Sequence, residues 1–201
     1  MRMERIDKQF EFIREIDKEK EITRHTFLAD ASRRENDAEH AWHMAIMTIL
    51  LQEYANEEID VLKTITMLLI HDIVEIDAGD TYAYDEKGKE NQAEREEKAA
   101  NRIFNMLPED QAEKMIALWH EFEAQKTPEA KFARCMDNIQ PMMLNDASNG
   151  LAWEENQVKI SQILKRNERT AEGSKVLWDY MKHILQKNMD EGHIVKDREM
   201  D

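Results

Sequence analysis

Apolar side chains recur along most of this chain every three or four residues, the spacing that lines one face of an α-helix. Phe10, Ile13 and Ile16 predict a first amphipathic helix from about Glu4 to about Lys18, with those three turned inward. The period is lost between Thr23 and Asn36, which reads as a loop gathering Arg24, His25, Arg33 and Arg34. Asn36, followed three residues later by Glu39, has the pattern of a capping box. It precedes an apolar run whose buried stripe, at positions 40, 44, 47, 48 and 51, places His40 at the N-terminal end of the inward face.

Asp60 can cap the next helix, Val61 to Ile70, which is apolar on nearly every side and therefore central. His71 and Asp72 stand at its end, and the polar stretch from Asp77 to Gly88 predicts a surface loop. Further helices follow at Glu90 to Met106, at Pro108 to about Phe122, and from Thr127-Pro128 through Met143, the last containing Asp137. Beyond the break at Asn149-Gly150, Val158 to Arg166 and Val176 to Leu185 are helical, separated by Gly173. With no internal repeat or low-complexity linker, residues 1–188 read as one all-α bundle domain and 189–201 as a polar, frayed tail.

Composition sharpens this picture. Only 5 Gly and 3 Pro in 201 residues starve β-turns and suit helices. A formal charge of −15 repels phosphate backbones and anionic lipid, which argues against nucleic acid and membrane partners. It does not exclude a small anionic substrate, because a bound cation reverses the potential locally. Cys135 is the single cysteine, the opening Met1 to Lys20 lacks the apolar core of a signal peptide, and no segment approaches the roughly 20 apolar residues that span a bilayer. These features predict a cytoplasmic protein.

The strongest local chemical pattern is His71-Asp72-x-x-Glu75-x-x-x-Gly79-Asp80, two ionisable groups side by side at the end of a core helix. Taken alone, the pair is more often a local cap or a satisfied core histidine than a ligand. His40 on the preceding inward face and Asp137 on a later helix change the balance, since ligands converging from separate helices build bundle metal sites. Two imidazoles and two carboxylates suit Mn, Co, Fe, Zn or Mg and leave coordination positions for water and a substrate oxygen.

Order and spacing resemble the HD-domain superfamily, in its 5′-deoxynucleotidase-like branch. The resemblance rests on Arg24, Ser32-Arg33-x-Glu35-x-x-Ala38-Glu39-His40-x-Trp42, the His71-Asp72 to Asp80 segment, Trp119-x-Glu121-x-Glu123, Thr127-Pro-Glu-Ala-Lys and Asp137. It implies a metal-dependent phosphomonoesterase acting on (deoxy)nucleoside 5′-monophosphates, with one divalent cation on His40, His71, Asp72 and Asp137. Glu75 would handle protons, Asp80 would lie against the sugar and leaving oxygen, and Arg24 would bind phosphate. His25 stands where deoxynucleotide-specific relatives often carry tryptophan, so sugar preference stays open.

The same cation could serve a pyrophosphate ester or a cyclic phosphodiester, or hold together an interaction domain without turnover. A homodimer is implied by the resemblance, with the apolar final helices as a seam. His43, His120, His183 and His193 lack a partner set and read as ordinary surface or core, as do the exposed Arg33 and Arg34. The 13 methionines read as core filler and Cys135 as a small buried hydrophobe.

Overall fold

Four of the helices begin where a side chain, that of Asn36, Asp60, Thr127 or Ser174, satisfies amides that a helix start leaves unpaired. The computed structural model describes residues 2–84, 88 and 90–197. Helix α1 spans Arg2–Glu15 and runs into a 3-10 turn, Ile16–Glu21. Strands β1 (Thr23–Phe27) and β2 (Arg34–Asn36) pair antiparallel, with a register shift between the Thr23–Asn36 and Phe27–Arg34 pairs. Helix α2 (Asp37–Leu51) starts on the expected capping box: Asn36 Oδ1 accepts from the Glu39 amide, and the Glu39 carboxylate accepts from the Asn36 amide. Helix α3 (Val61–Ile70) starts on Asp60, and α4 is a single turn, Glu75–Ala78.

Helices α5 (Gln92–Phe104) and α6 (Glu109–Ala124) pack on each other, and α7 (Pro128–Ala147) runs through the centre from its Thr127 cap. Short helices α8 (Leu151–Glu155), α9 (Ile160–Arg166) and α10 (Thr170–Gly173) lead to α11 (Lys175–Glu191). Twelve residues of α7 are buried, which makes it the axis of the bundle. Its Pro141 cannot donate to the Asp137 carbonyl four residues back, so the helix ladder is broken beside a charged side chain. Gly173 lets α10 approach α7 closely: a Cβ there would overlap the Lys131 carbonyl oxygen and stand 2.8 Å from Cys135 Cβ.

Three expectations need correction. The stretch from Thr23 to Asn36 is a small hairpin, because its pairing comes from backbone contacts that no side-chain period announces. Phe10 and Ile13 on α1 are exposed at 55% and 54%; Ile16 packs against the core as expected, and Phe12 does so in place of Phe10 and Ile13. Beyond α3 the chain turns at 71–74, and Glu75 opens α4. Helix α11 extends to Glu191 and the segment after it is packed, with Ile194 buried and Val195 bonded to Ile160 and Val158, so the polar tail does not begin at 189 as a frayed end. Residues 85–87 of the expected loop and 198–201 of the tail lie outside the described residues.

Candidate metal centre

His40, His71, Asp72 and Asp137 come from α2, from the turn after α3, and from α7, and all four meet in the interior. His40 Nε2 lies 3.2 Å from Asp137 Oδ1 and 4.0 Å from Asp72 Oδ2. His71 Nε2 lies 3.0 Å from Asp72 Oδ2 and 3.7 Å from Asp137 Oδ1. Ligand atoms of His40, His71 and Asp72 stand within 4.8 Å of one another, close enough to share one ion.

Hydrogen bonds on the far side of each ring decide which nitrogen faces this cluster. His71 Nδ1 donates to the Leu68 carbonyl at 2.9 Å, which leaves Nε2 as the inward atom, and that buried Nε2 has no hydrogen-bond partner. Gln140 Nε2 donates to Glu35 Oε1 at 2.6 Å, so Gln140 Oε1 is turned to accept from His40 Nδ1 at 2.9 Å. Each imidazole is thus fixed by an acceptor behind it, the arrangement that orients ligating histidines. Trp119 Nε1 donates to the His71 carbonyl at 3.2 Å and holds the turn from outside.

The charge balance points the same way. Burial pulls His71 down, but Asp72 and Asp137 more than reverse this and hold its pKa at about 10. Burial, with Arg24 nearby, drives His40 to about 4. Burial and the Asp72 charge lift Asp37 to about 7, and burial lifts Glu35 to about 7. Glu75 rises well above the carboxylate range through burial and the charges of Asp72 and Asp37. So many buried carboxyl groups against few cations require either bound protons or a metal, and the imidazole–carboxylate donor set fits a divalent cation.

The remaining expected residues line a cleft of about 180 Å³ opening onto this cluster. Glu75 is buried with Oε2 unpartnered, and its amide donates to the Asp72 carbonyl at 2.8 Å. Asp80 is half-buried at the rim, where burial raises its pKa. His25 stacks on Tyr82, ring centroids 4.2 Å apart. Arg24 is half-buried, its side chain 12% exposed, with Nη1 donating to Asp37 Oδ1 at 2.9 Å and Asp72 Oδ2 at 2.7 Å. It therefore sits in the centre's charge network, not as a bare hook at the mouth.

His43, His120, His183 and His193 stay outside the cluster; His43 Nδ1 contacts Gln140, and His120 pairs with Glu97. Burial pushes the Cys135 thiol up to about 12, as befits a small core residue. Sequence reading assigned no role to Asp37, Gln140 or Arg134. Arg134 donates to Asp137 Oδ2 at 2.9 Å and to Glu123 at 3.2 Å, lying 4.3 Å over the Phe122 ring. Arg33 and Arg34 remain at the surface, paired with Glu39 and Glu155.

The model of the HD domain family matches residues 16–178. This chain belongs to the HD domain family. A solved structure described as a predicted metal-dependent phosphohydrolase from Magnetospirillum magnetotacticum is 46% identical, with a TM-score of 0.91 over 95% of this HD-domain chain and 96% of that one. The human 5′-deoxynucleotidase HDDC2 is 28% identical over 173 residues, covering 79% of this chain and 83% of the human protein. Its Xenopus laevis counterpart is 26% identical over 160 residues, covering 70% and 78% respectively.

Proposed function

We propose that this HD-domain protein hydrolyses nucleoside 5′-monophosphates, deoxynucleotides included, to nucleoside and inorganic phosphate. One divalent cation, drawn from Mn, Co, Fe, Zn or Mg, would be held by His40, His71, Asp72 and Asp137. The observation that carries this reading is the pair of imidazoles, each anchored at Nδ1, with both Nε2 atoms directed at the two carboxylates. The similarity to proteins named 5′-deoxynucleotidase supports the substrate class.

A cation bound there supplies Lewis acidity toward a phosphoryl oxygen and lowers the pKa of water. Glu75 keeps a proton on its buried carboxyl because burial and the Asp72 and Asp37 charges disfavour its anion, and it delivers that proton to the departing 5′ oxygen. Asp80 accepts a hydrogen bond from the sugar at the rim. Arg24 contributes positive charge to the phosphate while holding Asp72 in place. The stacked rings of His25 and Tyr82 give the sugar a flat wall.

The test is phosphate release from a panel of ribo- and deoxyribonucleoside monophosphates with Mn, Co or Mg. Wild type releases phosphate, and Glu75→Ala binds metal but does not; full activity in that variant removes Glu75 from the chemistry.

The working protein is assigned to the cytoplasm, with no nucleic acid partner, from its one cysteine and its charge of −15. No described helix is long and apolar enough to cross a membrane. A homodimer also belongs to this reading. The final helix exposes Val176 and Tyr180, whereas α2 exposes the stripe Trp42, Ile46, Ile49 and Leu50 at helical spacing, which supports α2 as the seam in place of the final helices. Light scattering should give a two-chain mass that Ile46→Glu lowers to one; a single-chain wild type would overturn the dimer.

A further inference from the structure

Among the described residues, three arginines line the cleft: Arg24, Arg134 and Arg166. Two are engaged by carboxylates at hydrogen-bond distance, Arg24 by Asp37 and Asp72, Arg134 by Asp137 and Glu123. Arg166 differs. Its Nη2 stands 3.9 Å from Asp137 Oδ2, outside hydrogen-bond reach, and its side chain keeps 34% of its surface exposed. Asp137 is meanwhile held more closely by Arg134 at 2.9 Å and His40 at 3.2 Å, so its contact with Arg166 is the longest of the three.

The placement of Arg166 is built into the fold. It closes α9, and the next residue, the buried Asn167, donates from Nδ2 to the Ile163 carbonyl at 2.8 Å. Asn167 Oδ1 accepts from the Thr170 hydroxyl at 3.3 Å, and that hydroxyl accepts from Asn138 Nδ2 at 2.9 Å. Asn138 follows Asp137 on α7. This relay docks the end of α9 against the helix turn that bears Asp137 and keeps the guanidinium over the cleft.

We propose that Arg166 is a second phosphate-binding residue of this centre, a role that rests on the phosphohydrolase reading above. A phosphomonoester dianion spreads its charge over three oxygens, more than one cation can meet. A guanidinium presents two parallel donors that match two of those oxygens. Arg166 is the cleft arginine whose fork, among the described residues, no carboxylate hydrogen bond engages. It would bind the phosphate of the substrate and the inorganic phosphate left after hydrolysis.

The test compares wild type, Arg166→Ala and Arg166→Lys, all loaded with Mn. For Arg166→Ala, KM for a nucleoside monophosphate should rise roughly 10- to 100-fold with a smaller fall in kcat, the loss of one charge-assisted pair. The inhibition constant of inorganic phosphate should rise by a similar factor, Arg166→Lys should recover part of both, and added guanidinium ion should partly rescue Arg166→Ala. Mn content should stay at the wild-type level. Unchanged KM and phosphate inhibition, or a loss of Mn that accounts for the loss of activity, would overturn the assignment. Should wild type release phosphate from no nucleotide, the hydrolase reading fails by itself. Calorimetric binding of inorganic phosphate to the Mn-loaded proteins then still decides: weaker binding by Arg166→Ala upholds the role, and equal binding refutes it.

Discussion

Two buried clusters meet at the turn between α3 and α4, and they are built from opposite materials. Toward α5 and α6, Ile70, Ile73, Val74, Ala99, Ala100, Ile103, Phe104 and Trp119 close on one another without a charged group. Toward α2 and α7, His40, His71, Asp72, Glu75 and Asp137 are also inaccessible, none above 9% exposed, and all are ionisable. One five-residue stretch serves both. Ile73 and Val74 anchor it in the apolar cluster, and His71, Asp72 and Glu75 point the other way. The difference teaches that the first cluster supplies stability from which the second, costly in desolvation, can be held in one geometry.

The largest effect expected is on the charged side. Asp137→Ala should lose bound metal by elemental analysis and lose phosphate release to background, since the carboxylate contacts both imidazoles. Retention of both would dissolve the distinction between the clusters. On the apolar side, Phe104→Ala should cost about 3–5 kcal/mol in denaturant unfolding and leave metal affinity unchanged. Smaller again is Gln140→Leu, which removes the acceptor behind His40. Metal affinity should fall about 10- to 100-fold by competition with a chelator, because the ring loses its orientation.

The smallest effect is a pH dependence carried by Glu19, a buried carboxyl at the edge of the charged cluster. Burial and then the Asp72 charge raise its pKa from 4.5 to about 7. The folded chain therefore binds this proton more tightly than the unfolded one between those values. The group's contribution to stability is present at low pH and lost as pH rises from 4.5 to about 7. Urea midpoints of metal-free protein should decline across that window, and Glu19→Gln should flatten part of the decline. An identical slope in the variant would place the titration elsewhere.

Local rules made much of this architecture readable. The Asn36–Glu39 box, the Asp60 cap and the Thr127-Pro128 start each act within four residues, and each helix begins where they place it. His40, His71, Asp72 and Asp137 were readable because their order and spacing resemble a known pattern, and the fold brings them together. What stayed hidden depends on distance along the chain. The hairpin pairs Thr23 with Asn36 through backbone atoms, and α1 turns Phe12 inward instead of Phe10 because of what α5 presents to it. Gln140 orients His40 across 100 positions, and Asp37 meets Arg24 only once β1 and α2 are in place. Glu35 did carry a signal, since it lies in the motif before His40, but its bond to Gln140 appears only in three dimensions.

The close seating of Gly173 on α7 decides which bank of the cleft can adapt. With bare backbone against the Lys131 carbonyl and the Asn138–Thr170 bond beside it, the segment carrying Arg166 and the helix carrying Asp137 behave as one rigid body. Induced fit to nucleotides of different size is thus left to the opposite bank, where His25 leans on Tyr82, and divergence in substrate range should accumulate there.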